Sequence, residues 1–205
     1  APLVHALLPE GRAAADELYA LVLARLAEDP GYEVGADRVR RPDGVVVALD
    51  PRWPLITLGR LVQEDLCLMA EGPEGHVLVG AILCFPASWT LAQKIGKPLP
   101  GIHRPVTQYP GDLERRVQRL FDALRAGQVL ERFNALVYDD PELHQPRRED
   151  EHRPRPVRRD YLRSERQCLM RLPESGAVLF SIHTYLVRMD GLSDEERAGL
   201  LAAGV

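Results

Sequence analysis

The stretch YLRSERQCLMRLPESGAVLFSIHTYLV, running from Tyr161 to Val187, decides the reading of the fold. Two strand-length runs, Tyr161–Leu172 and Ala177–Val187, flank Pro173-Glu174-Ser175-Gly176, and such runs joined by a short Pro/Gly turn read as a β-hairpin. A strand turns successive side chains to opposite faces. Tyr161, Arg163, Glu165, Gln167 and Leu169 therefore share one face, and Leu162, Ser164, Arg166, Cys168 and Met170 share the other. Arg163, Glu165 and Arg166 make a dense charge set for a strand. Either the hairpin belongs to an antiparallel sheet with one wet face, or the charges wall a pocket. In a pocket, arginine would donate to an anion and glutamate would accept from a cation or a proton donor.

Working outward, Val45–Leu49, His76–Phe85 and Val129–Tyr138 read as further strands, which gives about five in all. Ala13–Ala27 reads as an amphipathic helix with Leu18, Leu21, Val22 and Leu26 on one face, closed by Asp29-Pro30. Leu58–Ala70 also reads as a helix, from the spacing of Leu58, Leu61, Val62, Leu66 and Met69. Ser88–Ile95 reads as a short helix capped by Ser88 and stopped by Gly96. Leu113–Leu124 is a strongly patterned helix, and Ser193 with Glu196 forms a capping box that opens Ser193–Ala203. Lys97–Pro110 and Asp139–Asp160 read as loops, the first punctuated by prolines and the second by mixed charge. Helices and strands do not alternate strictly. The pattern predicts an α+β fold: one domain over residues 1–205, with an antiparallel sheet and helices packed on one face.

Composition removes several function classes. The chain has 205 residues, 45% of them apolar, enough for a hydrophobic core. A net charge of −4 argues against a nucleic-acid binder. Cys67, Cys84 and Cys168 are odd in number and widely spaced, which argues against a disulfide framework or a structural zinc site and for a reducing, cytoplasmic setting. The start of the chain reads without a leader peptide. No apolar run reaches the ~20 residues of a membrane span. There is no GxGxxG, Walker or GxSxG segment, so the chain shows no nucleotide fingerprint or serine-hydrolase elbow of its own.

The histidines are the remaining candidates. His5, His76, His144 and His152 read as solvated residues of termini, turns and loops. His103 follows Ile102 and precedes Arg104-Pro105-Val106, in a segment stiffened by prolines. It reads either as a metal ligand held in advance by its loop, or as a histidine bonded to a nearby backbone carbonyl.

Several segments, taken in order, sharpen this. Leu61–Asp65, Cys84–Trp89, Lys94-Ile95-Gly96, Ile102–Val106, Asp139–Leu143, Arg163–Gln167, Leu172-Pro173 and Val178–Tyr185 together resemble the haem-dependent oxidative N-demethylase α-subunit-like family. The resemblance spans roughly residues 15–190. It implies a PAS-like sheet enclosing haem b, and O2-dependent oxidation of a small secondary amine, dimethylamine, to methylamine and formaldehyde. It also implies NADPH, FMN and a 2Fe-2S centre on a partner reductase subunit, with no nucleic acid and no membrane as partners. Carried onto this chain, it implies His103 as the axial ligand of the haem iron, with Arg163, Lys94 and Trp89 around the cofactor and Glu165 and Arg166 in catalysis. Cys84 is a rival ligand, since thiolates also hold haem. The alternative within the same fold is a non-catalytic haem or small-ligand sensor. Two positions depart from the family pattern: Ala135 follows Asn134 where Trp is common, and His183 stands where Arg is common.

Overall fold

The hairpin of Tyr161–Val187 is the centre of the observed sheet. The computed structural model describes residues 3–103, 111–152 and 154–204, with the backbone alone at residues 103 and 111–114. In chain order the strands are β1 (His5–Leu7), β2 (Glu33–Val34), β3 (Arg38–Arg40), β4 (Val46–Ala48), β5 (Asp65–Gly72), β6 (Gly75–Ile82), β7 (Val129–Tyr138), β8 (Tyr161–Arg171) and β9 (Val178–Arg188). The helices are α1 (Arg12–Ala27), α2 (Pro54–Leu61), α3 (Leu99–His103), α4 (Gly111–Ala123) and α5 (Asp194–Ala202). Six strands form an antiparallel sheet in the order β1-β6-β5-β9-β8-β7, and β2-β3-β4 form a second, three-stranded sheet. The fold is α+β, as the sequence predicts.

The helices do not keep to one face, and this corrects the sequence reading. Leu66 and Leu68 of β5, Val79 of β6 and Leu179 of β9 pack with Leu18, Leu55, Leu58 and Leu61 of α1 and α2. Their strand neighbours Cys67, Met69, Leu78 and Val178 pack on the other side with Leu91, Leu99, Phe121 and Leu124. Period-two alternation thus feeds two cores, one on each side of the sheet. α2 lies so close to β6 that a Cβ on Gly59 would meet Ile82 at 2.5 Å. Among the described residues no helix is long and apolar enough to cross a membrane.

Four local expectations change. Leu58–Ala70 is not one helix: α2 ends at Leu61 and β5 begins at Asp65. From Leu66 to Ala70 β5 is covered on both faces, so this stretch is apolar without the polar interruptions that mark a half-buried strand. Ser88 caps no helix; it takes a positive φ of 65°, and only a short 3-10 turn forms at Leu91–Gln93. Part of the proline-rich segment is helical, since Leu99–His103 forms α3, with Pro100 in its first turn, where a missing N–H costs little. Val45–Leu49 does yield a strand, β4, but in the small sheet. The capping box at Ser193 and Glu196 forms as read.

The hairpin turn is fastened from α1. Nearly buried Glu17 accepts the backbone N–H of Glu174 at 2.7 Å and of Ser175 at 2.8 Å. Burial alone would push its pKa up, but Ser175 and the two backbone donors outweigh it and hold the carboxyl below the usual glutamate range. Glu17→Ala is expected to lower unfolding stability by about 1–3 kcal/mol in urea titrations at neutral pH. Because the folded pKa is depressed, the wild-type advantage is present above the ordinary glutamate range and shrinks as pH falls through it.

Candidate functional site

Strand β8 places Arg163, Glu165 and Gln167 on the face that carries α3 and α4, and all three are buried, at 2%, 8% and 8% exposure. A buried guanidinium must find acceptors. Arg163 donates Nη1 to the Leu143 carbonyl at 2.8 Å and Nη2 to the Phe85 carbonyl at 2.5 Å. Its Nε faces Glu165 Oε1 at 3.5 Å, and its guanidinium lies 5.8 Å from the centre of the Tyr138 ring. Gln167 Nε2 donates to Glu165 Oε2 at 2.9 Å, and Arg132 Nε of β7 donates to Gln167 Oε1 at 2.8 Å. A polar ladder Arg163–Glu165–Gln167–Arg132 therefore crosses from β8 to β7. On β9, Thr184 stands directly opposite Glu165, and its Oγ1 is buried without a hydrogen-bond partner among the described residues.

Asp65, at the start of β5, bonds the same Phe85 segment, a strap that follows β6. Its carboxylate accepts the N–H of Cys84 at 2.5 Å and of Phe85 at 3.1 Å. Phe85 is thus held by Asp65 through its N–H and by Arg163 through its carbonyl. The strap meets the Asp139–Asp160 loop. Ser88 N donates to the Gln145 carbonyl and Gln145 N to the Pro86 carbonyl. That loop is closed at its neck by Asp139, which accepts the N–H of Val157, Arg158 and Arg159.

Lys94 is 5% exposed and donates Nζ to the Ile102 carbonyl at 2.5 Å and to Glu149 Oε1 at 2.7 Å. It ties the last turn of α3 to the 139–160 loop. His103 is the final residue of α3, so the sequence reading of a free loop position is corrected; its side chain lies outside the described residues, as do residues 104–110. Trp89 is half-buried against the α3/α4 core. The structure thus brings Arg163, Glu165, Lys94 and Trp89 to one side of the sheet.

Arg166 is not with them. It faces the opposite side of β8, 41% exposed in its side chain, with Nε 3.8 Å from Glu131 and Nη2 4.0 Å from Glu64. His183, directly opposite it on β9, shares Glu64 through Nδ1 at 3.1 Å and lies against the Tyr185 ring. Ala135 pairs with Ser164 and falls on this second face too. Cys84 is half-buried against the α1/α2 core, and burial with the nearby Asp65 charge pushes its thiol pKa up, which disfavours a thiolate ligand.

His76 corrects a further expectation. It is buried at 1% exposure, with Nδ1 3.0 Å from Gln118 Nε2 and its ring against Phe121. A groove of about 520 Å³ lies on the small sheet among Glu33, Arg38, Arg40 and Val46. Its charged walls are exposed and paired with one another, as in Arg38 with Asp37, so it reads as solvated surface. Arg132, Asp65 and Thr184 are members of the site that the sequence reading does not single out. Register against Glu165 and Gln167 points to Arg132 once the pairing partner of β8 is fixed.

The sheet of this α+β protein thus buries an acid–base ladder on the same side as a short helix that ends at His103. The family model described as haem-dependent oxidative N-demethylase, alpha subunit-like, matches residues 2–205, and the chain belongs to that family.

Burial pushes Asp65 up to about 6, against its two N–H donors and the charge of Arg163. A carboxyl whose folded pKa is raised gives stability that is fully present below its unfolded value of ~3.9 and is lost as pH rises through the folded one. Asp65→Asn keeps an acceptor for both N–H groups without a titrating proton. Relative to it, wild type is expected to lose on the order of 2 kcal/mol between pH ~4 and ~6.5 in parallel denaturation series. A pH-independent difference would remove Asp65 from this role.

Proposed function

We propose that this chain is the haem-binding subunit of an oxidoreductase that N-demethylates a small secondary amine, such as dimethylamine, with O2. On this reading residues 1–205 form one PAS-like domain working in the cytoplasm. The observation that carries the proposal is the ladder: Glu165 is kept nearly dry, and beside it Arg163 Nε and Thr184 Oγ1 are buried without a hydrogen-bond partner among the described residues. Buried polar atoms left without partners in a native fold call for a ligand or water to complete them.

The donor set on this face fits haem b. Exposed Leu130 and Leu136 of β7 offer apolar surface, and Arg132, exposed and engaged only through Nε in the bonds described, has guanidinium nitrogens to offer a propionate. His103 would supply the axial imidazole. Trp89 would pack the cofactor side of the α3/α4 core. Lys94 and Arg163 would act through the backbone they hold, Lys94 fixing the end of α3 and Arg163 the Phe85 strap. When bound, haem supplies the iron that activates O2.

The remaining chemistry falls to Glu165, which would accept the amine N–H and orient the substrate methyl. Gln167 donates to one of its oxygens, and Arg163 Nε faces the other at 3.5 Å. Arg166, from the other face, would contribute through Glu64 and His183 rather than at the same wall. The two departures from the family pattern, Ala135 and His183, also stand on that other face, so they leave the Glu165 side intact. This favours turnover over a sensor that binds haem and catalyses nothing. The α-subunit-like description of the family supports a further subunit, which on this reading is a reductase carrying FMN and 2Fe-2S and drawing on NADPH.

The test starts with the visible spectrum of the purified chain with added haemin. A Soret band that is lost in His103→Ala supports the axial assignment, and a protein that binds no haemin sinks the proposal. Haem retained in His103→Ala but lost in Cys84→Ala would move the ligand to Cys84. Lys94→Met should weaken haem affinity roughly 10–100-fold, read by haemin titration, because it frees the helix that carries the ligand. With haem bound and reduced, dimethylamine and air should yield formaldehyde. Glu165→Gln should lower that yield at unchanged haem content, while a haem-loaded wild type that makes none would establish the sensor reading.

A further inference from the structure

β7 is the last strand of the large sheet, and from Val129 to Leu136 it is paired on one side only among the described residues. Open edges are normally blunted by proline, bulges or charge, because bare N–H and C=O groups recruit another strand. β7 has none of the first two: its register with β8 runs unbroken from Val129 to Tyr138, and it contains no proline. Its charges, Glu131 and Arg132, are turned toward its own sheet, Glu131 to Arg166 and Cys168 and Arg132 to Gln167. Between these charges it presents large apolar side chains to solvent. Val129, Leu130, Phe133 and Leu136 are exposed, Phe133 at 64%.

We infer that β7 pairs antiparallel with β7 of a second copy of this chain, about a two-fold axis at Phe133, joining two six-stranded sheets edge to edge. The case for a second copy, rather than another partner, is self-complementarity. An axis at Phe133 perpendicular to the sheet keeps every residue on its own face. It sets Phe133 opposite itself, Leu130 opposite Leu136, Arg132 opposite Asn134 and Glu131 opposite Ala135. Apolar meets apolar and no like charges meet. An axis at Arg132 or Glu131 sets like charges face to face. An axis at Asn134 sets Arg132 opposite Leu136 and separates the phenylalanines. The inference uses the edge alone and does not depend on haem.

The full chain is measured by sedimentation equilibrium across a wide concentration range. A dimer is expected, and Phe133→Lys, which sets two ammonium groups on the axis at an exposed site, should weaken it by at least roughly 10-fold with an unchanged circular dichroism spectrum. Should that variant not fold, Phe133→Cys in a Cys168→Ser background replaces it. It should cross-link to a dimer under mild oxidation, and Leu201→Cys, at an exposed position on α5, should not. A chain monomeric at every concentration, a dimer indifferent to Phe133→Lys, or a dimer in which Phe133→Cys cross-links no better than Leu201→Cys overturns the inference.

Discussion

One buried guanidinium governs the architecture around the site. Arg163 is taken almost wholly out of water, which is costly unless its donors meet acceptors and its charge meets an anion. The chain supplies both, from four separate places: the carbonyls of Phe85 and Leu143, the carboxylate of Glu165 on its own strand, and the field of Asp65 across the sheet. Two of these are backbone groups of irregular segments. The segments are therefore ordered by the arginine as much as the arginine is satisfied by them. Replacing Arg163 would leave two carbonyls and a buried carboxylate uncompensated together.

From this point the rest of the site follows by short steps. Phe85 is pulled by Arg163 and held by Asp65, which fixes the strap that leads to Ser88 and its left-handed backbone. The strap bonds to Gln145, which fixes the course of the 139–160 loop. That loop delivers Glu149 to Lys94, and Lys94 reaches the carbonyl of Ile102, one residue before His103. His103 thus stands at the end of a chain of polar contacts that begins on β8, even though no strand carries it.

These contacts explain which features are legible in the sequence and which are not. The hairpin, its turn and the capping box at Ser193 rest on neighbours in sequence, and local pattern specifies them. Parity along β8 is enough by itself to separate Arg163 and Glu165 from Arg166. Leu58–Ala70 misleads because an apolar run buried on both faces has no polar beat, so chance three-to-four spacing passes for a helix. In Lys97–Pro110 the prolines suggest a loop, yet Pro100 sits in the first turn of α3, where proline is at home. His76 reads as exposed beside a turn, but α4 covers it, and sequence does not say which helix lies over which strand. The pairings Arg163–Phe85, Lys94–Glu149 and Glu17–Ser175 are fixed only by the tertiary fold. Only the ordered family motifs draw attention to those segments together.

The charge balance of the buried groups bears on which ligand the site prefers. Asp65, Arg163 and Glu165 together are neutral while Asp65 holds its proton, and carry a net negative charge once it is lost, near the value of about 6 to which burial has raised it. The second carboxylate is close enough to Arg163 to compete for its charge. Above that pH the guanidinium is shared between two anions, and Glu165 is less fully compensated. Under the proposed function, a protonated secondary amine would restore the balance. The same carboxylate that braces the Phe85 strap therefore also sets how fully Glu165 is compensated, and its influence grows as pH rises through about 6.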